Sequence, residues 1–352
     1  MRAASSSYKI SVIMPVYNAE LYLKRSVESC FSQEEVDEVI AVDDGSTDQS
    51  VEVLRELQQT YPSLKVITPG SKLPQEISVF HPPFQLPKLD NLQTVEQRPK
   101  RKENYGPGFA RNVGMMAASN PWIAFLDSDD VMLPNRFKKT IQVIEQYKDC
   151  DGVHECIGVE YTSKQAKQIY MQLGKPIITG VKQTIQPSQL LPALTHSRKY
   201  GYISLDGLTI RKSILSKSGL IFQRRYSEDA TFIVRLAAVG KLYQGDPKTV
   251  VTNRVFHGNN SIAGNEIIMM SEHLAALLTL LAWWKEYQPQ NHRLLHYILL
   301  RLGKFEFVEE CRSILRNHYP EIKKSSVQNR FISKLIIIEQ YKRVQKWKQT
   351  LA

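Results

Sequence analysis

Apolar residues fall into short runs and helical stripes along the first two thirds of the chain. Residues 9–14 form a run of β character, and 19–32 place Leu21, Leu23, Val27, Cys30 and Phe31 on one helical face. Residues 36–42 predict a second buried strand, stopped by Asp43-Asp44-Gly45-Ser46. Ser46 or Thr47 can cap a helix running to about residue 60, and 64–68 predict a third strand. This alternation calls for a parallel sheet with helices on both faces. The rhythm breaks over 69–104, where six prolines and Lys100-Arg101-Lys102 predict an irregular insertion, expected to be mobile and beside the active site. It resumes as helix 108–119, strand 122–126, helix 133–147, strand 153–161, strand 208–211, helix 227–239 and strand 250–256. From 262 the pattern is helical (266–287, 292–302, 305–317 and 328–349). The expected fold class is α/β, with a mostly parallel central sheet over residues 8–262 and a helical appendage over 263–352.

Composition adds limits. With 352 residues, 42% of them hydrophobic and 23% charged, the chain can bury a core. It has no stretch of about 18 uncharged apolar residues, and residues 1–16 lack the features of a secretory leader. Four cysteines fit a reducing compartment, and Cys150, His154 and Cys156 have no second ligand pair at zinc-site spacing. The expected location is cytoplasmic, with the inner face of a membrane as an extension. Net charge is +11, and from residue 260 onward fourteen Lys/Arg face eight Asp/Glu. That excess suits either a solvated helix face or an anionic partner. Trp283, Trp284, Lys285, Trp347 and Lys348 fit helix packing or a homo-oligomer interface, with peripheral membrane contact the alternative. No helix-turn-helix, zinc or RNP signature is present, so no nucleic-acid partner is expected.

The chemistry lies at strand ends. In a parallel α/β sheet, ligands bind outside the carboxyl ends of the strands. Three such ends read Pro15-Val16-Tyr17-Asn18, Asp43-Asp44-Gly45-Ser46-Thr47-Asp48 and Asp127-Ser128-Asp129-Asp130. Two acidic turns at equivalent positions repel unless a hard cation joins them, and Mn²⁺ or Mg²⁺ bridges carboxylates to phosphates. Each turn alone would also read as a helix cap. Gly106-x-Gly108 fails as a dinucleotide loop, because Arg111 stands where the third glycine belongs. Arg111 instead reads as facing the cleft, binding a phosphate or orienting a carboxylate, or else as a structural ion pair.

Together these residues resemble the family 2 glycosyltransferases, which have the glycosyltransferase A-type fold. The resemblance is carried by Val12-Ile13-Met14-Pro15-Val16-Tyr17-Asn18, Val42-Asp43-Asp44-Gly45-Ser46-Thr47-Asp48, Asn104-x-Gly106 with Ala110-Arg111-Asn112-x-Gly114, and Phe125-Leu126-Asp127-Ser128-Asp129-Asp130. Ser227-Glu228-Asp229-Ala230-Thr231 with Arg235-Leu236, and Arg254-x-x-His257 with Ser261, extend it over roughly residues 8–262. The insertion and the tail fall outside the family pattern.

The resemblance implies an inverting transferase moving a sugar from a nucleoside-diphosphate donor, a UDP-sugar by preference, to a glycan or lipid-linked glycan. Pro15 and Tyr17 would lie near the base, Asp44 would accept a base N–H, and Asp43 would support that turn. Asp127 and Ser128 would sit by the ribose or diphosphate, with Arg111 on the phosphates. Asp129 and His257 would hold Mn²⁺ or Mg²⁺, with a plain surface histidine as the bland reading of His257. Asp229 would act as base and Glu228 would orient the acceptor or the base, although carboxylates at a helix start also serve the macrodipole. The competing reading is a non-catalytic module that binds nucleotide sugar and docks on a membrane.

Overall fold

The structure, a computed structural model, describes residues 8–68, 105–216, 222, 228–258, 276–277, 279–281, 283–284 and 286–302. The insertion, most of the tail, and the motif positions Asn104, Ser227 and Ser261 lie outside them. The strands are β1 (Ile10–Val16), β2 (Val36–Asp43), β3 (Leu64–Ile67), β4 (Trp122–Phe125), β5 (Val131–Met132), β6 (Gly152–His154), β7 (Cys156–Tyr161), β8 (Leu208–Arg211), β9 (Leu242–Gln244) and β10 (Val250–Phe256). The helices are α1 (Leu23–Phe31), α2 (Ser50–Thr60), α3 (Pro107–Ala117), α4 (Lys138–Gln146), α5 (Lys164–Gln172), α6 (Pro187–Thr195), α7 (Ser197–Tyr200), α8 (Glu228–Val239) and α9 (His292–Leu302).

Seven strands form the main sheet in the order β3-β2-β1-β4-β8-β6-β9, and β5-β10-β7 form a small second sheet. Every neighbouring pair in the main sheet is parallel except the two made by β8, which runs antiparallel to β4 and β6. β1 lies between β2 and β4 and is buried along its whole length, as a central parallel strand must be. The alternation of side chains divides the core in two. Ile13, Ile40, Val42 and Phe125 face α3, α6 and α8, while Val12, Met14, Val39 and Ala41 face α1, α2 and α4. Leu277, Leu280, Leu281, Trp283, Leu294 and Ile298 belong to the first of these cores, so the described part of the tail is built into it.

Local chemistry explains where the elements differ from the sequence pattern. The helix expected over 133–147 begins only at Lys138: Pro134 holds Leu133 extended, the Leu133 N–H bonds Val251 O at 2.9 Å, and Asn135 takes φ 63°. The strand expected over 153–161 is two strands in two different sheets, separated at Glu155. Arg136 Nη1 and Thr140 Oγ1 bind Glu155 Oε2 at 2.7 and 2.5 Å, fixing that break. The amphipathic α5, the Pro-started α6, and the short β5 and β9 lie in stretches where no element was expected.

Candidate active site

The strand order decides what meets. β2, β1 and β4 are neighbours, and Val16 pairs with Asp43 while Ile13 pairs with Phe125. The three polar strand ends therefore emerge side by side at one edge of the sheet. The first two are laced together: Asn18, in the left-handed region at φ 51°, accepts from Thr47 N at 2.8 Å, and Ser46 Oγ accepts from Asn18 N at 3.0 Å. Tyr17 stands half-buried at this junction, just beyond the buried Pro15.

Asp43 and Asp44 are both buried. Asp43 Oδ1 accepts from Ser46 N at 3.0 Å, closing its own turn. Asp44 reaches across to the chain entering α3, where its two oxygens accept from Tyr105 N at 2.9 Å and Gly106 N at 2.6 Å. Gly106 has φ 98°, which an L side chain would resist, and Pro107 follows at the first helical position. Asp44 thus forms a floor beneath residues 105–106.

α3 delivers Arg111. Gly114, one turn on, lets the helix lie against β1: an added Cβ there would stand 2.5 Å from Ile13 Cγ2. Arg111 is 4% exposed and joins two acids, donating through Nη2 to Asp127 Oδ1 at 2.7 Å and through Nη1 to Glu228 Oε1 at 2.9 Å. Its guanidinium lies 5.5 Å from the centre of the Phe222 ring. Asn112 pins Phe222 by exchanging two 2.8 Å hydrogen bonds with its backbone. Burial raises Glu228 to about 7, with Arg111 opposing the shift and Asp229 adding to it. Asp229, at the start of α8, is exposed, and its Oδ1 accepts from Ala230 N at 2.7 Å.

Past β4, Ser128 is buried, with its carbonyl bonded by Ser26 Oγ at 2.8 Å. Asp129 meets His257, which follows β10: Nε2 stands 3.4 Å from Asp129 Oδ2. Both ring nitrogens of His257 are buried without a hydrogen bond, and its ring lies 3.9 Å from that of Tyr22. Burial pushes Asp129 up, Asp127 adds to the shift, and His257 opposes it.

Two groups that carried no role in the sequence reading complete the cluster. Asp127, Asp130 and Asp206 offer oxygens that all lie within 4.8 Å of one another. Asp206 Oδ1 accepts from Asp127 N at 3.2 Å, and Asp130 Oδ1 accepts from Val255 N at 2.8 Å. Arg254 faces both, at 3.7 Å from Asp206 and 4.0 Å from Asp130. Burial drives Asp206 up to about 6, with Asp127 adding and Arg254 opposing. Burial also drives Asp130 well above its ordinary value, with Asp206 adding. Asp206 escaped the sequence reading because it precedes β8. Only the reversed direction of that strand carries its start to the edge where the parallel strands end.

Asp127, Asp129, Arg111, Glu228 and His257 therefore converge, with Asp229 beside Glu228 and the Asp43–Asp44 turn at the far end of the same edge. The chain matches Glycosyl transferase family 2 over residues 11–73 and 99–216, just over half its length. It belongs to that family. An uncharacterized glycosyltransferase of Haemophilus influenzae is 29% identical over 65% of this chain and 80% of its own length. The minor teichoic acid biosynthesis protein GgaB of Bacillus subtilis is 30% identical over 42% of this chain, but the match spans only 13% of GgaB. Among solved structures, S. aureus TarS 1-349 in complex with UDP superposes with a TM-score of 0.54, at 17% identity and 92% coverage of each chain. The fold of this family 2 glycosyltransferase is thus the glycosyltransferase A type.

Proposed function

We propose that the chain is an inverting, metal-assisted glycosyltransferase that moves a sugar from a UDP-sugar to a hydroxyl of a glycan or lipid-linked glycan. The observation that supports this most is Arg111 holding Asp127 and Glu228 together, with Asp129 and His257 next to them at the same sheet edge. A nucleotide-sugar donor is supported by TarS, crystallised both with UDP and with UDP-GlcNAc.

The residues fit a divalent cation. His257 presents two buried nitrogens without hydrogen bonds, and Nε2 lies 3.4 Å from a carboxylate oxygen of Asp129, a mixed N/O donor pair that suits Mn²⁺. Bound by Asp129 and His257, such an ion would offset the charge that grows on the leaving diphosphate. Tyr17 and Pro15 would lie near the base, beside the turn that Asp43 closes and that Asp44 ties to residues 105 and 106, and Asp127 and Ser128 would sit by the ribose or diphosphate. Arg111 keeps a fixed positive charge beside them.

On the acceptor side, Asp229 takes the hydroxyl proton as the acceptor oxygen bonds to the anomeric carbon. The bond from that carbon to the β-phosphate oxygen breaks, and its electron pair leaves with the nucleoside diphosphate. Attack opposite the leaving group inverts the anomeric centre. Glu228, tied to Arg111, holds the start of α8 in place. Residues 8–262 then form the transferase unit, and the described residues between 276 and 302 brace it. Incubation with UDP-sugars, Mn²⁺ and glycan acceptors tests the reading. Transfer with inverted configuration is expected, whereas donor binding without transfer or hydrolysis would leave only a sugar-nucleotide binder.

A further inference from the structure

Residues 162–203 hold six Lys/Arg and no Asp or Glu, in a chain that carries 35 acids. This stretch also gathers apolar surface. Of nine large apolar side chains exposed among the described residues, five lie here: Met171, Leu173, Ile177, Ile178 and Tyr202. Every residue of 171–178 is exposed, and Ile177 is 52% exposed. The fold sets this patch beside the site. α5 packs Ala166 and Tyr170 against Phe256 at the end of β10, leaving Lys164 and Lys167 outward. Lys175 Nζ lies 6.0 Å from the Phe256 ring centre, and Phe256 precedes His257.

Exposed aliphatic side chains set among lysines, with no acid between them, match the interface of an anionic bilayer: the alkyl groups enter the headgroup boundary and the ammonium groups meet acidic headgroups. A second copy docking through the same patch would set lysine against lysine, because a two-fold interface pairs a surface with itself. Trp283, one of the tail residues also suited to such contact, is 2% exposed and packed near Arg235. We propose that 164–178, with Tyr202, is a docking surface for an anionic lipid bilayer. Resting on the transferase reading only for its purpose, it would bring a lipid-linked acceptor to the mouth of the site.

The test is co-sedimentation of the full chain with phosphatidylcholine vesicles, with and without phosphatidylglycerol. Binding is expected to need phosphatidylglycerol and to weaken with salt. The double substitution I177D/I178D, on side chains outside the core, is expected to lower binding at least about tenfold. K164Q/K167Q is expected to reduce the salt dependence while the aliphatic contact remains. Unchanged vesicle binding in I177D/I178D, equal binding to neutral vesicles, no binding by the parent, or a parent dimer dissolved by I177D/I178D would each overturn the proposal. Donor hydrolysis, measured separately in I177D/I178D, is expected to match the parent. Its absence from both proteins would sink the transferase reading without touching the vesicle result.

Discussion

Arg111 donates to Glu228 at 2.9 Å, and both side chains are at most 10% exposed. Removing one member of a buried pair strands the other. Arg111→Ala is expected to destabilise the protein by about 3–5 kcal/mol above neutral pH. The loss is expected to shrink near pH 6, because Glu228 then takes up a proton. Urea unfolding at both pH values measures it; an equal loss at both would show that Glu228 is not the group left uncompensated.

The raised Glu228 sets a direction for stability against pH. Its folded value is about 7 against an ordinary 4.5, so the native state holds the proton longer than the unfolded chain. The stabilisation is full below the unfolded value and is lost as pH rises from about 4.5 to about 7. Glu228→Gln removes this slope. The melting temperature of the variant relative to the parent is expected to rise across that window and level off above it.

Asp229 is exposed at the start of α8, so its replacement leaves the core intact. Asp229→Asn is expected to cut kcat at least about 100-fold, the usual scale for losing a general base. Calorimetry should find UDP affinity unchanged. Near-parental turnover in this variant removes Asp229 from the mechanism.

Chelation is expected to abolish transfer, and Mn²⁺ to restore it at lower concentration than Mg²⁺, because a neutral imidazole favours the softer ion. His257→Ala should narrow that gap. A metal titration of activity gives both half-saturation points, and full turnover in excess EDTA would exclude the ion.

Asp206→Ala leaves the Asp127 N–H without its acceptor, and is expected to cost about 1–3 kcal/mol along with UDP affinity. Asp206→Asn keeps an oxygen at that position and is expected to retain affinity. Equal loss in the two variants would show that charge, and not the hydrogen bond, is what Asp206 supplies.

Much of the fold was legible because buried parallel strands announce themselves: 10–16, 36–43 and 122–125 are largely apolar runs that end at polar turns, Tyr17-Asn18 after the first and acids at the other two. The convergence of Asp127 with Glu228 followed from the family resemblance, since 101 positions separate them in the chain. Three things were hidden for physical reasons. β8 is too short to declare its direction. The break at Glu155 depends on Arg136, which no local pattern links to it. Asp44 shows its grip on Tyr105 and Gly106 only once α3 is in place.

Glu155 also has a neighbour across the fold. The chain passes between the two sheets there and again just after β9, where Gly245 donates to His154 O at 2.9 Å and an added Cβ would stand 2.5 Å from Glu155 Cγ. Two crossings touching at one point form a common spine. Asp43 and Asp44 hang from one leaf of it, and His257 from the other. A methyl group at 245 would press on Glu155 and displace the crossing that leads into β10, and with it the approach of His257 to Asp129.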